Sequence, residues 1–248
     1  MDLANKNIIV TGGASGLGRT LASTLVDHKS NVIVFDINKA QLDDFTEENR
    51  YVDAVLCDVT DPHQVLQQVN AVYKKYGQID GLVNNAGLIY NEPLINLLSS
   101  SRIHSMEGWE KTILVNLTSA FLMTSHVVDK MIAERTKGVV VNISSISSKG
   151  NPGQSAYSAA KAGINALTVT WSKELGAFGI RVVAVSPGFI NTPSTHRALN
   201  ESIILELSRE IPLGRLGNTS DITKSVLYAF ECDYLNGKIL EIDGGMVM

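Results

Sequence analysis

The chain has 248 residues, of which 44% are hydrophobic and 19% are charged, so it can bury a core and does not belong to the disordered class. Its 21 Lys and Arg against 25 Asp and Glu give a net charge of -4. This balance excludes the basic stripe with which duplex-binding domains displace counterions, so no nucleic-acid partner is expected.

The cysteines and the first residues bear on metal binding and compartment. Cys57 and Cys232 are too few for a disulfide framework, and their spacing predicts no metal site. Residues 1–6 lack the basic and apolar regions of a signal peptide, and no apolar run is long enough to cross a membrane. We expect no membrane partner and, by default, a reduced, cytoplasmic compartment.

Short β-branched apolar runs alternate with longer segments of helical periodicity along the chain. Runs that are apolar on both faces are typical of parallel strands covered by helices. The alternation predicts one α/β domain over residues 1–248, a doubly wound Rossmann fold that binds ligands at the carboxyl ends of its strands. The seven predicted strands are 7–10, 31–35, 54–56, 81–83, 138–143, 181–185 and 238–242.

Two segments interrupt this alternation, and each follows a predicted strand. Residues 88–105 contain Pro93, three consecutive serines and several leucines, which predicts a long loop. Residues 188–214 carry apolar side chains on a predicted short helix. Long loops at the ligand end of such a sheet often act as lids or substrate walls. We favour a lid for residues 188–214, whereas for 88–105 a substrate wall and ordinary surface packing stay equally open.

A glycine-rich turn, Thr11 to Gly18, follows the first strand and opens a helix. Glycines here allow a tight turn and let the backbone approach a pyrophosphate at the positive helix N-terminus. The position of the turn between a strand and a helix favours a dinucleotide site over a turn needed only for packing.

Asp36 ends the second predicted strand, 18 residues beyond Gly18. A carboxylate at this place accepts hydrogen bonds from the ribose hydroxyls of adenosine and repels a 2′-phosphate. Ser15 and Ile37 occupy the positions where a basic partner for that phosphate is expected, although Arg19 and Lys39 are near in sequence. The sequence therefore predicts NAD(H) rather than NADP(H).

Further motifs follow the later strands and complete a pattern. They are Asp58, Asn84-Asn85-Ala86-Gly87, Ser144, Tyr157-Ser158-Ala159-Ala160-Lys161 and Ser186-Pro187-Gly188. With the glycine turn, these motifs resemble the short-chain dehydrogenase/reductase family over essentially the whole chain. The resemblance implies a nicotinamide-dependent oxidoreductase acting on CH–OH groups, usually a homotetramer or homodimer.

The resemblance assigns Tyr157 as the general acid and base and Lys161 as its partner, which also binds the nicotinamide ribose. The chemistry agrees, because residues four apart on a helix share a face. A tyrosine has an ordinary pKa of about 10, and a neighbouring ammonium should lower it. The phenol then exchanges a proton with a ketone or an alcohol oxygen.

Two further residues complete the catalytic set that the resemblance implies. Ser144, thirteen residues before Tyr157, should donate a hydrogen bond to the substrate oxygen, with Ser145 as the alternative if the register differs by one. Asn116 matches the position that bends a helix and holds a proton-relaying water. Asparagine is a poor residue inside a helix, so its place in an apolar stretch already indicates a special task.

The cofactor contacts carry over in the same way. The resemblance places Ile190 with its N–H near the nicotinamide carboxamide. The implied cofactor residues are Gly12, Ser15, Leu17, Gly18, Asp36, Ile37, Asp58, Val59, Asn85, Ala86, Gly87, Tyr157, Lys161, Pro187, Gly188, Ile190 and Thr192.

The substrate is less well defined by the sequence. The long loop with Tyr90-Asn91 and the ending Tyr234 to Ile239 resemble the type II 3-hydroxyacyl-CoA dehydrogenase branch, which makes an acyl-CoA thioester the leading expectation. Asp243-Gly244-Gly245 departs from that branch. For four charged or titratable residues a solvated surface position is favoured over a contact to a phosphate-bearing carrier; they are Arg102, His104, His196 and Arg197.

Three alternatives stay open at this point. The first is a 3-oxoacyl carrier-protein reductase, against which Asp36 counts because such enzymes usually prefer NADPH. The second is a dehydrogenase of a small cyclic or secondary alcohol. The third is a nucleotide-sensing regulator that lacks the chemistry, which the intact set of Ser144, Tyr157 and Lys161 argues against.

Overall fold

The computed structural model describes residues 1–97, 100–192, 195–196 and 200–246. The strands are β1 (Asn7–Thr11), β2 (Asn31–Asp36), β3 (Val52–Leu56), β4 (Gly81–Asn84), β5 (Val139–Ile143), β6 (Arg181–Pro187) and β7 (Ile239–Ile242). The α-helices are α1 (Gly16–Asp27), α2 (Lys39–Glu48), α3 (Pro62–Tyr76), α4 (Met106–Ile113), α5 (Ser119–Ala133), α6 (Ser155–Leu175), α7 (Glu201–Glu210) and α8 (Thr219–Glu231).

The strands form one sheet in the order β3-β2-β1-β4-β5-β6-β7, and every neighbouring pair is parallel. The predicted doubly wound sheet is therefore confirmed, with strand ends shifted by one or two residues. The order reverses between β1 and β4, where Val10 pairs with Val34 on one side and with Val83 on the other. Such a switch point opens a crevice at the carboxyl ends of the strands.

The core lies in two layers because side chains alternate between the faces of each strand. On one face Ile8 and Val10 pack with Leu21 of α1 and Phe230 of α8. On the other face Ile9 packs in a second cluster with apolar residues of α3 and α5. All five β1 residues are buried, which explains why this run is apolar throughout.

Local signals fix the helix ends. The Asp61 side chain accepts hydrogen bonds from the backbone of His63 and Gln64, Pro62 begins α3, and Gly77 ends it in the left-handed conformation. Within the described ranges no helix is both long and apolar enough to cross a membrane.

Candidate active site

Two adjoining cavities lie at the carboxyl ends of the strands. The first, here the glycine-side cleft, has a volume of about 440 Å³ and is lined by the glycine turn, the ends of β2 and β3 and the residues after β4. The second, here the tyrosine-side cavity, has a volume of about 240 Å³ and lies between α6 and the segment after β6. Leu17, Asn85, Gly87 and Leu88 line both, so the two cavities are continuous.

The structure brings the implied cofactor residues together in this double cavity. The tyrosine-side cavity holds Pro187, Gly188, Ile190 and Thr192, besides Leu17, Asn85, Gly87, Tyr157 and Lys161. The glycine-side cleft holds Gly12, Ser15, Leu17, Gly18, Asp36, Ile37, Asp58, Val59, Asn85, Ala86 and Gly87. Residues separated by up to 180 positions along the chain thus line one continuous space.

Close backbone packing explains the glycines of the turn. A Cβ on Gly18 would lie 2.1 Å from the carbonyl oxygen of Gly12, so no other residue fits without movement. Gly12 has φ +60°, and a Cβ there would approach the Ala86 backbone to 2.9 Å. The Asn85 side chain donates to the carbonyls of Thr11 and Gly12 at 3.0 Å each, which ties the turn to the end of β4.

The Asp36 carboxylate is held at the mouth of the glycine-side cleft. One oxygen accepts from the Ala14 backbone N–H and the other from that of Asn38, both at 3.0 Å. The nearby basic side chains are engaged elsewhere. Arg19 forms ion pairs with Asp44 and Glu48, at 2.8 and 2.6 Å, and Lys39 pairs with Asp43.

Tyr157 and Lys161 lie one turn apart on α6, and both are buried, at 9% and 4% exposure. The Lys161 Nζ donates to the Ile143 carbonyl oxygen at 2.8 Å and lies 5.7 Å from the centroid of the Tyr157 ring. Burial lowers the pKa of Lys161 to about 8. Burial also raises the pKa of the Tyr157 phenol, and its hydrogen bond with Ser145 only partly offsets this.

The direction of the Tyr157 shift differs from the expected lowering by Lys161. The physical reason is that loss of water around the phenol outweighs the other interactions, while the lysine ammonium donates to a backbone carbonyl.

The two serines after β5 have different partners. The Ser144 hydroxyl donates to the backbone carbonyl oxygen of Lys161 at 3.4 Å. The Ser145 side chain accepts from the Ser147 backbone N–H at 3.1 Å and also forms the hydrogen bond with Tyr157. Both line the tyrosine-side cavity, and Ser145, not Ser144, is the serine whose side chain acts to lower the pKa of the Tyr157 phenol.

Asn116 lies in a π-helical turn, Leu114–Thr118, which separates α4 from α5. Its amide donates to the carbonyls of Leu88 and Thr112, at 2.9 and 3.0 Å, and accepts from the Leu88 backbone N–H at 3.2 Å. A Cβ on Gly87 would lie 2.7 Å from this amide oxygen. Asn116 thus holds the backbone after β4 beside Lys161, and both of its amide hydrogens are engaged.

Sequence reasoning missed part of the lining. Asn151 and Gln154 precede Tyr157 and face the tyrosine-side cavity, but irregular loops carry no periodic signal that would have shown this. Cys57 lines the glycine-side cleft, and burial raises its pKa to about 11, so the thiol is protonated at neutral pH. Of the residues considered for a phosphate-bearing carrier, Arg197 lies outside the described ranges.

Known proteins resemble the chain over its whole length. A family model described as short chain dehydrogenase matches residues 6–202. A 3-oxoacyl-(acyl-carrier-protein) reductase FabG of Thermotoga maritima is 40% identical, with all of both chains covered. A sorbitol-6-phosphate 2-dehydrogenase of Klebsiella pneumoniae is 34% identical over 99% of this chain and 97% of the relative. The structure of the ligand-free aldohexose dehydrogenase of Thermoplasma acidophilum is 31% identical and superposes with a TM-score of 0.88, covering 99% and 95% of the two chains.

Proposed function

The chain belongs to the short-chain dehydrogenase family, and on this premise we propose that it reduces the 3-oxo group of a 3-oxoacyl thioester with NADH. As a member of the family it is an oxidoreductase acting on CH–OH groups. The full-length 40% identity to a 3-oxoacyl-(acyl-carrier-protein) reductase is the observation that carries the substrate class. It favours a carrier-protein thioester over the CoA thioester that the sequence made the leading expectation.

The glycine-side cleft fits a nicotinamide dinucleotide. Gly16 has φ +52° and no atom within 4 Å of where its Cβ would lie, which leaves the turn open toward the cleft. Backbone N–H groups at the start of α1 would hold the pyrophosphate, and Asp36 the adenosine ribose. The bound cofactor supplies the hydride, and the protein supplies its orientation.

The residues of the tyrosine-side cavity carry the proton chemistry in this proposal. The Ser145 hydroxyl donates a hydrogen bond to the ketone oxygen and fixes it beside Tyr157. The Tyr157 phenol, protonated at neutral pH because burial raises its pKa, gives its proton to that oxygen. The Lys161 ammonium stabilises the phenolate that remains. This assigns to Ser145 the role that the spacing gave to Ser144.

The preference for NADH rests on the surroundings of Asp36. A 2′-phosphate would face the Asp36 carboxylate and the apolar Ile37, which is 68% exposed. Arg19 and Lys39 already pair with acidic side chains on α2, which weakens their attraction for an added phosphate. Direct titration tests this: NADH should bind more tightly than NADPH, and Asp36→Ala should narrow the difference. Equal binding of both nucleotides by the wild-type protein would contradict it.

A small polyol or secondary alcohol is the second candidate substrate. The tyrosine-side cavity is small and carries the side-chain amides of Asn151 and Gln154, which suit a hydroxylated compound. Two of the similar proteins are named as dehydrogenases of sorbitol 6-phosphate and aldohexose.

Initial rates of NADH oxidation separate these candidates. At equal concentration, acetoacetyl-carrier protein should react faster than acetoacetyl-CoA, and both faster than a simple cyclic ketone. Faster reaction of the cyclic ketone would overturn the thioester proposal and leave the Tyr157 chemistry in place. The reverse reaction with sorbitol and NAD tests the second candidate.

We further propose a homotetramer or homodimer in a reducing, cytoplasmic environment. Trp109, Leu114 and Phe121 expose 36 to 51% of their surface along α4 and α5, an apolar face that a second copy would cover. The two cysteines are free thiols, as a reducing compartment requires. Sedimentation as a monomer at micromolar concentration would contradict the oligomer.

A further inference from the structure

The segment between β4 and α4 folds back on itself beside the active site. Ile95 and Ile103 form an antiparallel bridge, and the Asn96 N–H donates to the Arg102 carbonyl oxygen at 2.8 Å. The His104 N–H donates to the Leu94 carbonyl oxygen at 3.1 Å. We name residues 90–105 the 90–105 hairpin; residues 98 and 99 lie outside the described ranges.

The Glu92 carboxylate binds groups at both ends of this hairpin. The Glu92 Oε2 accepts from the Tyr90 hydroxyl and from the Ser105 backbone N–H, each at 2.8 Å, and lies 3.4 Å from the His104 Nδ1. The Ser105 N–H and the Tyr90 hydroxyl lower the pKa of Glu92, so the group is ionised at neutral pH. Hydrogen bonds to a charged acceptor are stronger than neutral ones. The bond from the Ser105 N–H to Glu92 closes a loop of about 14 residues.

The packing around this carboxylate is tight. The Tyr90 ring lies so close to Gly108 on α4 that a Cβ there would approach it to 2.4 Å. The ring of His104 contacts both Tyr90 and Trp109 edge-on, with centroids 5.7 and 6.3 Å apart. The base of the hairpin is thus a packed aromatic cluster organised around Glu92.

The same residue joins the hairpin to the tyrosine-side cavity. Glu92 forms a parallel bridge with Gln154, three residues before Tyr157. Next to it, the Gln154 side chain donates to the Asn91 amide oxygen at 2.8 Å and accepts from the Asn151 amide at 3.0 Å. Asn151 and Gln154 both line the cavity, so the hairpin packs behind the part of the cavity wall that would contact the substrate.

We propose that Glu92 is a positioning residue that holds the 90–105 hairpin against Gln154 and thereby fixes the substrate-side wall of the tyrosine-side cavity. The inference rests on the proposed function, since it concerns substrate binding at that site. Among the described residues, the side-chain partners of Glu92 are Tyr90, His104 and Ser105, and these lie outside the lining of the glycine-side cleft. Loss of the carboxylate should therefore weaken substrate binding and leave nucleotide binding intact.

The experiment compares four variants of the full chain. Glu92→Ala removes the carboxylate, Glu92→Gln keeps an acceptor without the charge, and Tyr90→Phe removes one donor while keeping the ring. Glu110→Ala removes an exposed carboxylate from the neighbouring helix and is the matched control. Tyr90→Phe and Glu92→Gln carry the test if Glu92→Ala does not fold.

Three readouts are taken for each protein. They are KM and kcat with acetoacetyl-carrier protein, the Kd for NADH, and the rate of tryptic cleavage after Arg102, the only Lys or Arg in the sequence of residues 90–105. Glu92→Ala should raise KM about tenfold with little change in kcat, because the hairpin that supports the substrate-side wall loses its charge-assisted hydrogen bonds. Cleavage should accelerate, the NADH Kd should be unchanged, and Glu92→Gln should lie between wild type and Glu92→Ala.

An unchanged KM in Glu92→Ala would overturn the inference, even if the hairpin is cleaved faster, because the hairpin would then not shape the substrate wall. A parallel loss of NADH affinity would overturn it as well, because the damage would be general. If the wild-type protein reduces no ketone, the proposed function fails and this inference fails with it. If the wild-type protein reduces the ketone and Glu92→Ala has the same KM, only the inference fails.

Discussion

At the scale of single residues, burial changes the pKa values of Tyr157 and Lys161, the two residues to which the proposed function assigns proton transfer. Loss of water raises the pKa of the phenol and lowers that of the ammonium to about 8. At neutral pH the phenol therefore keeps the proton that a reduction consumes, while most of the lysine is still charged. The pair can act as acid and counter-charge only in the pH range where both conditions hold.

A pH profile tests this balance. Because the pKa of Lys161 is lowered, the ammonium loses its proton at a lower pH than an ordinary lysine, and kcat/KM for NADH should fall as pH rises through about 8. Lys149→Ala, which removes an exposed lysine paired with Glu241, should leave the decrease of kcat/KM at high pH unchanged. A profile that stays flat up to the ordinary lysine pKa of about 10.4 would contradict the account.

The two serines provide a second test at this scale. Ser145→Ala should lower kcat about 100-fold, because a hydrogen-bond donor to the reacting oxygen is lost. Ser144→Ala should leave kcat nearly unchanged, because its hydroxyl faces the Lys161 backbone. If steady-state measurements show a larger loss of kcat in Ser144→Ala than in Ser145→Ala, Ser144 is the hydrogen-bond donor to the substrate oxygen.

Sequence spacing could not decide between these serines. Consecutive residues at a strand end point to opposite sides, so a shift of one position changes which hydroxyl faces the cavity. The distance from β5 to Tyr157 also depends on a short 3₁₀ turn, Ile146–Lys149, whose length the sequence does not reveal. By contrast, the four-residue spacing of Tyr157 and Lys161 on α6 was predictable from helix geometry alone.

At the scale of elements, the π-helical turn is the feature that joins fold and site. Asparagine in an apolar helical stretch indicated a special task for Asn116, but only the structure shows a π turn and a side chain that binds the Leu88 backbone. Such turns often occur at functional sites. The segment after β4 was predicted as a long loop. Its hairpin could not be predicted, because it depends on tertiary contacts of Glu92 that leave no periodic pattern in the sequence.

Asn116→Ala is expected to lower the free energy of unfolding by about 2 kcal/mol, because it removes the hydrogen bonds of a buried amide to the backbone of Leu88 and Thr112. Denaturant titration measures this change. Ser125→Ala, an exposed position on α5, is the control and should stay within about 0.5 kcal/mol of wild type. Equal stability of both variants would show that the amide does not hold the turn.

At the scale of the whole molecule, the topology explains why distant motifs meet. Alternating strands and helices predicted the doubly wound sheet, and its switch point between β1 and β4 brings the glycine turn beside Asn85. The glycine turn, Asp36, Asp58 and Asn85 lie at or just after the ends of parallel strands, so their convergence at one edge could be predicted. The amides of Asn151 and Gln154 and the partners of Arg19 could not, because they depend on tertiary contacts between loops and side chains.

The central claim is that this double cavity is a catalytic site and not only a nucleotide-binding one. The most direct measurement compares wild type and Tyr157→Phe for turnover of acetoacetyl-carrier protein and, on the same samples, for the Kd of NADH. Turnover should fall by about 100- to 10,000-fold with the phenol removed, while NADH binding is retained. Undiminished turnover in Tyr157→Phe, or nucleotide binding by a wild-type protein that reduces none of the ketones, would contradict the account.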